Sequence, residues 1–145
     1  MFKQLIFCLF VAYSFSVSAQ EIVTWSGEIV EEIGEKTIKI KGEVADGWYI
    51  YSMNTNPDGP IPTELVFVEN TDYALSGKLE EKGDLIEGYD ELFEVNIMKY
   101  KDMIEYQQKL LSIKPNTTIK SQVTFMTCDK KRCLPPKTVD IDILN

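Results

Sequence analysis

Lys36-Thr37-Ile38-Lys39-Ile40-Lys41-Gly42-Glu43-Val44 sets polar and apolar side chains in alternation. A period of two sends successive side chains to opposite faces of an extended chain, so the stretch predicts a strand with one buried and one wet face. Similar patterns lie on either side. Trp48-Tyr49-Ile50-Tyr51 is aromatic and β-branched, with Tyr49 and Tyr51 on one face and Trp48 and Ile50 on the other. Glu64 to Val68 reads as a more fully buried strand. Thr117 to Met126 and Thr138 to Ile143 alternate again. Weaker strand patterns cover Ile22 to Ile29, Tyr73 to Leu79 and Glu94 to Met98. Met103 to Leu111 has spacings that would also suit a helix, but it lies among strands and is read as one.

Turn chemistry falls between these runs, at Asp46-Gly47, Pro57-Asp58-Gly59-Pro60, Lys82-Gly83-Asp84 and Pro115-Asn116. Many short strands with frequent turns predict an all-β chain, an antiparallel two-sheet sandwich of immunoglobulin-like outline. A disulfide between distant strands, the mark of antibody domains, is not expected, because the two C-terminal cysteines are only five positions apart.

Residues 1–19 read as a secretory signal. Lys3 gives a positive start, Leu5 to Phe15 is largely apolar, and Val17-Ser18-Ala19 supplies small residues before a cleavage point. The apolar run is shorter than the roughly 20 residues that span a bilayer, so cleavage after Ala19 is expected in preference to a retained anchor. Residues 20–145 then form a single domain with no membrane span. Cys8 leaves with the signal, and loss of Lys3 takes the formal net charge from −8 to −9. Such an acidic chain is a poor partner for nucleic acid.

The chemistry concentrates in Cys128-Asp129-Lys130-Lys131-Arg132-Cys133, followed at once by Leu134-Pro135-Pro136. The chain has no histidine, which removes a histidine-activated cysteine nucleophile. Two cysteines without histidine give half the ligands of a zinc site, so no metal or other cofactor is expected. Asn54 to Gly59 imitates half of a calcium loop, but Leu65 stands where a bidentate Glu is needed, and the segment reads as a polar turn. Asn116-Thr117-Thr118 fits a glycosylation acceptor in a host with that machinery.

An exported pair so close in sequence fits one intrachain disulfide across a hairpin. Closing a six-residue loop restricts the unfolded chain by roughly 2 kcal/mol, against about 4.7 for a 100-residue loop. The spacing therefore leaves two readings open: a reactive pair at an exposed tip, or a structural clip in a binding module. Lys130, Lys131 and Arg132 lie between the cysteines, and cations near a thiol favour the thiolate.

Asp46-Gly47-Trp48-Tyr49-Ile50-Tyr51, the acidic-aromatic Tyr89-Asp90-Glu91-Leu92-Phe93, and the cysteine pair followed by Pro135-Pro136 occur in the order seen in the N-terminal periplasmic domain of the thiol:disulfide interchange protein DsbD. The resemblance spans roughly Trp25 to Ile143. It implies a sandwich whose cysteine pair cycles between dithiol and disulfide. It also implies thioredoxin-like or other redox proteins as partners, met through a transient mixed disulfide, and a periplasmic location. By resemblance Cys133 forms the mixed disulfide and Cys128 resolves it, Tyr49 and Tyr51 lie beside them, and the Tyr89-Asp90-Glu91-Leu92-Phe93 segment caps the site, with Leu92 or Phe93 as the capping side chain. Four residues separate the cysteines here, against five in a well-characterised member of the family. The membrane and thioredoxin-like domains of the complete family protein are not seen in this sequence, so the expectation is that another polypeptide supplies the electrons.

Overall fold

The computed structural model describes residues 21–145; the expected signal segment, residues 1–19, and Cys8 lie outside the described residues. Nine strands account for the regular structure: β1 (Val23–Glu32), β2 (Glu35–Val44), β3 (Tyr49–Tyr51), β4 (Glu64–Phe67), β5 (Tyr73–Asp90), β6 (Val95–Ile113), β7 (Thr118–Phe125), β8 (Thr127–Cys128) and β9 (Lys137–Leu144). One sheet runs β1-β2-β6-β3-β8, with β5 on the other side of β6; the second runs β4-β7-β9, and every pairing is antiparallel. Among the described residues no helix is long and apolar enough to cross a membrane.

The alternation in β2 does what its pattern requires. Ile38, Ile40 and Val44 enter the core, while Lys39 and Lys41 stay outside it. Facing them from the second sheet are Ile119, Val123, Phe125, Ile141 and Ile143, which join Ile104 and Tyr106 of β6 in one apolar cluster. Fully burying an Ile side chain is worth about 1.5–3 kcal/mol, so this shared layer is the main stabilising contact between the sheets.

Several sequence expectations are corrected. Lys82-Gly83-Asp84 is not a turn; it lies inside β5, whose pairing with β6 shifts register between Ser76 and Glu80 and again between Gly83 and Leu85. Gly83 has φ +147°, and a Cβ there would meet the Met103 carbonyl oxygen at 2.8 Å. Glycine therefore serves a bulge and a close backbone approach, chemistry that in sequence looks like a turn. Tyr73 to Leu79 runs on to Asp90, and the two weak patterns at Glu94–Met98 and Met103–Leu111 are one strand, β6. β6 changes neighbour near Asp102 (φ 63°), from β3 on one side of it to β2 on the other. Glu64 to Val68 is not fully buried: Val66 and Val68, each 48% exposed, face outward, while the alternate Leu65 and Phe67 pack against the core. The stretch from Thr117 to Cys128 is broken at Met126, where the chain leaves the second sheet and enters the first.

Candidate functional site: a disulfide between two aspartate-headed turns

That change of sheet creates the site. β7 and β9 pair as far as Phe125 and Lys137, and the residues between them make an excursion to the other sheet. There Cys128 stands opposite Tyr49, and Thr127 opposite Ile50. Cys128 and Cys133 form a bridge pair with Cα atoms 4.0 Å apart and are joined as a disulfide. Leu134 N–H donates to the Thr127 carbonyl at 2.9 Å, so the returning chain lies along the outer edge of β8. Pro135 and Pro136 follow, and with no N–H to offer they stop that pairing from extending.

The two sulfur positions are unlike. Cys128 is only 4% exposed and forms a small cluster with Tyr51 and Ile97; Cys133 is half-buried and packs on that cluster from outside. The expectation of an exposed pair is thus corrected: one cysteine is inside and one stands at the rim. The reason is register, since β8 pairs with β3 and turns Cys128 to the same face as Tyr51.

Two turns flank the cluster. In the cysteine loop, Asp129 Oδ1 accepts the N–H groups of Lys131 and Arg132, both at 2.7 Å, and Asp129 N–H donates to the Arg132 carbonyl at 2.9 Å. Those backbone donors, that of Lys131 first, hold the Asp129 carboxyl below its usual pKa. In the acidic turn that joins β5 to β6, Asp90 Oδ1 accepts from Leu92 at 2.9 Å and from Phe93 at 3.3 Å, while Glu94 N–H donates to the Asp90 carbonyl. Phe93 lies edge-on to Tyr51 with ring centroids 6.0 Å apart and packs on the cysteine cluster; Leu92 is 72% exposed and points away. Glu91 is exposed. Gly59, the glycine of the supposed calcium loop, lets residues 54–60 nest beneath this turn, since a Cβ there would meet Val95 at 2.8 Å.

Tyr51 is buried as its face predicts, and burial, then the nearby Asp90 charge, push its hydroxyl pKa up to about 12. Tyr49 is half-buried with the Lys99 ammonium 4.4 Å from its ring centroid. The Arg132 guanidinium lies 5.7 Å from the Trp48 ring centroid, while Trp48 also packs against the core.

Sequence reading missed one group altogether. Glu81, turned inward between the register shifts at Ser76/Glu80 and Gly83/Leu85, accepts the Met53 N–H at 2.8 Å, the Tyr106 hydroxyl at 3.2 Å, the Tyr100 hydroxyl at 3.3 Å and the Ser52 hydroxyl. It fixes the chain immediately after Tyr51. Burial, then Glu81, raise the Tyr100 pKa to about 12. A glutamate in a polar run next to Gly83 carries no sequence signal of such a role; only the bulges turn it inward.

The fold and site together define an all-β, immunoglobulin-like sandwich with a close disulfide where its chain passes from one sheet to the other. The chain belongs to the family described as thiol:disulfide interchange protein DsbD, N-terminal, whose profile matches residues 20–145. Among solved structures it is similar to the reduced N-terminal domain of DsbD from Neisseria meningitidis (TM-score 0.54, 17% identity, covering 74% of this chain and 76% of that one). It is also similar to the N-terminal periplasmic domain of ScsB from Proteus mirabilis (TM-score 0.56, 14% identity, covering 83% of this chain and 44% of that one). A complex of the N. meningitidis DsbD N-terminal domain with the PilB N-terminal domain matches at TM-score 0.49 and 19% identity, over 81% of this chain and 80% of that one. No curated protein matches the chain.

Proposed function

We propose that the protein is an exported thiol–disulfide exchange domain that passes electrons to partner proteins through Cys128 and Cys133. The observation that carries this reading is the inequality of the two sulfurs: Cys133 at the rim, Cys128 beneath it. Exchange needs one thiolate that can meet another protein's disulfide and a second held in reach of the first but out of competition with it. Reduced Cys133 attacks a sulfur of the partner disulfide, forming a mixed disulfide and releasing one partner thiolate. Cys128 then attacks the Cys133 sulfur, re-forming the internal disulfide and releasing the second partner thiolate. The partner gains two electrons and, with solvent protons, two thiols; a separate donor restores the dithiol. Lys130, Lys131 and Arg132 in the same loop favour the attacking thiolate. Family membership supports thioredoxin-like partners, and with the N-terminal signal pattern it supports a periplasmic location.

Phe93 serves as the cap in this reading. It packs edge-on to Tyr51 and against the cluster that holds Cys128, and so shields the buried sulfur from solvent oxidants.

The test is equilibration of residues 20–145 in glutathione redox buffers, with Cys133→Ala and Cys128→Ala beside the parent. Cys133→Ala loses all reduction of a protein disulfide, and Cys128→Ala accumulates mixed disulfide. A midpoint below about −300 mV, the range of inert structural bridges, would return the protein to the rival reading of a binding module with a clip.

A further inference from the structure

We infer that the cysteine loop is a cationic docking element that selects disulfides flanked by acidic groups. This rests on the exchange reading above and adds the chemistry of the partner to it. The chain is acidic, yet Lys130, Lys131 and Arg132 stand together between the two cysteines. Most cations elsewhere are engaged: Lys36, Lys39, Lys41, Lys82, Lys109, Lys114 and Lys137 each meet a carboxylate. Lys130 and Lys131 are exposed, and among the described residues neither has an ion pair.

The loop is not a loose string of charges. Asp129 spends its carboxylate on the backbone of Lys131 and Arg132, and that fastens the turn. Arg132 lies over Trp48 and also reaches Asp129 at 3.8 Å. Both of its ends are cysteine positions of the bridge pair. The ammonium groups of Lys130 and Lys131 are therefore presented from a fixed frame beside the rim sulfur of Cys133.

Packed through Phe93 against the same cluster is a turn of opposite sign, with Asp90, Glu91 and Glu94. A partner with acidic groups beside its disulfide meets attraction over the cysteine loop and repulsion over the acidic turn. The acidic side of such a partner is thereby steered toward Cys133 and away from Phe93.

Two small disulfides serve as probes: oxidised glutathione, which is anionic, and cystamine, which is cationic. The reduced domain transfers two electrons to either one, and two thiols leave. For the parent, the second-order rate with oxidised glutathione falls as salt is raised, and the rate with cystamine does not. In K130E/K131E, where two exposed side chains change sign, the rate per Cys133 thiolate, with the thiolate fraction fixed by a pH titration of each variant, drops about fivefold with oxidised glutathione at low ionic strength and rises by a similar factor with cystamine. Both differences collapse at high salt. The opposite movement of the two rates separates charge selection from damage to the fold, which would slow both. If the two rates move together, or neither moves, the inference is overturned while the exchange reading stands. If the reduced parent reacts with neither disulfide, the exchange reading falls and takes this one with it.

Discussion

The acidic turn after Asp90 and the cationic loop after Asp129 use one local device. In each, an aspartate carboxylate accepts the N–H groups two and three residues ahead of it. They differ in what fixes them to the body of the protein. The cysteine loop is closed by a covalent bond between its ends and by pairing with β3. The acidic turn is closed by the β5–β6 ladder and seated by one aromatic side chain, Phe93 against Tyr51. Local hydrogen bonding shapes a turn, but tertiary contact decides whether it can move. A covalently closed loop keeps its shape until the disulfide opens, whereas a turn seated by dispersion and burial can lift away from its site.

Both turns pack on a cluster that includes Tyr51 of β3, and β3 itself runs between β6 and β8. Removing the carboxylate that holds its far end tests that shared footing. Glu81→Ala leaves the Met53 N–H and the hydroxyls of Ser52, Tyr100 and Tyr106 without their acceptor. The expected cost is about 3 kcal/mol, measured by urea unfolding. Unchanged stability would mean that β3 is held by strand pairing alone.

A smaller effect separates neighbours in the acidic turn. Phe93→Ala should cost about 2 kcal/mol, less than a fully buried Phe, and should speed reduction of the disulfide by dithiothreitol. Leu92→Ala, at an exposed position, should stay within about 0.5 kcal/mol and leave that rate unchanged. Equal behaviour of the two variants would remove the distinction drawn between a seated and a free side chain.

The third effect vanishes at neutral pH. Tyr51 and Tyr100 ionise near 12 in the fold and near 10 in the unfolded chain, so the fold holds their protons more tightly. Their contribution to stability is complete below pH 10 and is lost as pH rises through about 12. The melting temperature should therefore be flat from pH 7 to 9 and fall above pH 10. Because Asp90 adds to the burial of Tyr51, Asp90→Asn should bring one tyrosine ionisation, followed at 295 nm, down toward 10.

Residues with a local period were legible in the sequence. Ile38, Ile40, Ile119, Val123, Ile141 and Ile143 all declared their core face, and alternation put Tyr49 and Tyr51 on one face, while their place beside the cysteines came from the family resemblance. Phe93 and Leu92 were not separable, because adjacent turn residues have no period to sort them. Gly83 misled for a related reason: a glycine before an aspartate has one local chemistry, whether it serves a turn or a bulge.

By itself the amino-acid sequence determined the β character of the chain, the sandwich class and the cysteine pair, since each is written in spacing over a few residues. Tertiary structure alone decided that Met126 ends one strand and sends Cys128 to the other sheet, that Glu81 points inward, and that one sulfur is covered while its neighbour reaches the rim. Those outcomes depend on register between strands far apart in the chain, and register is set by the joint burial of all of them.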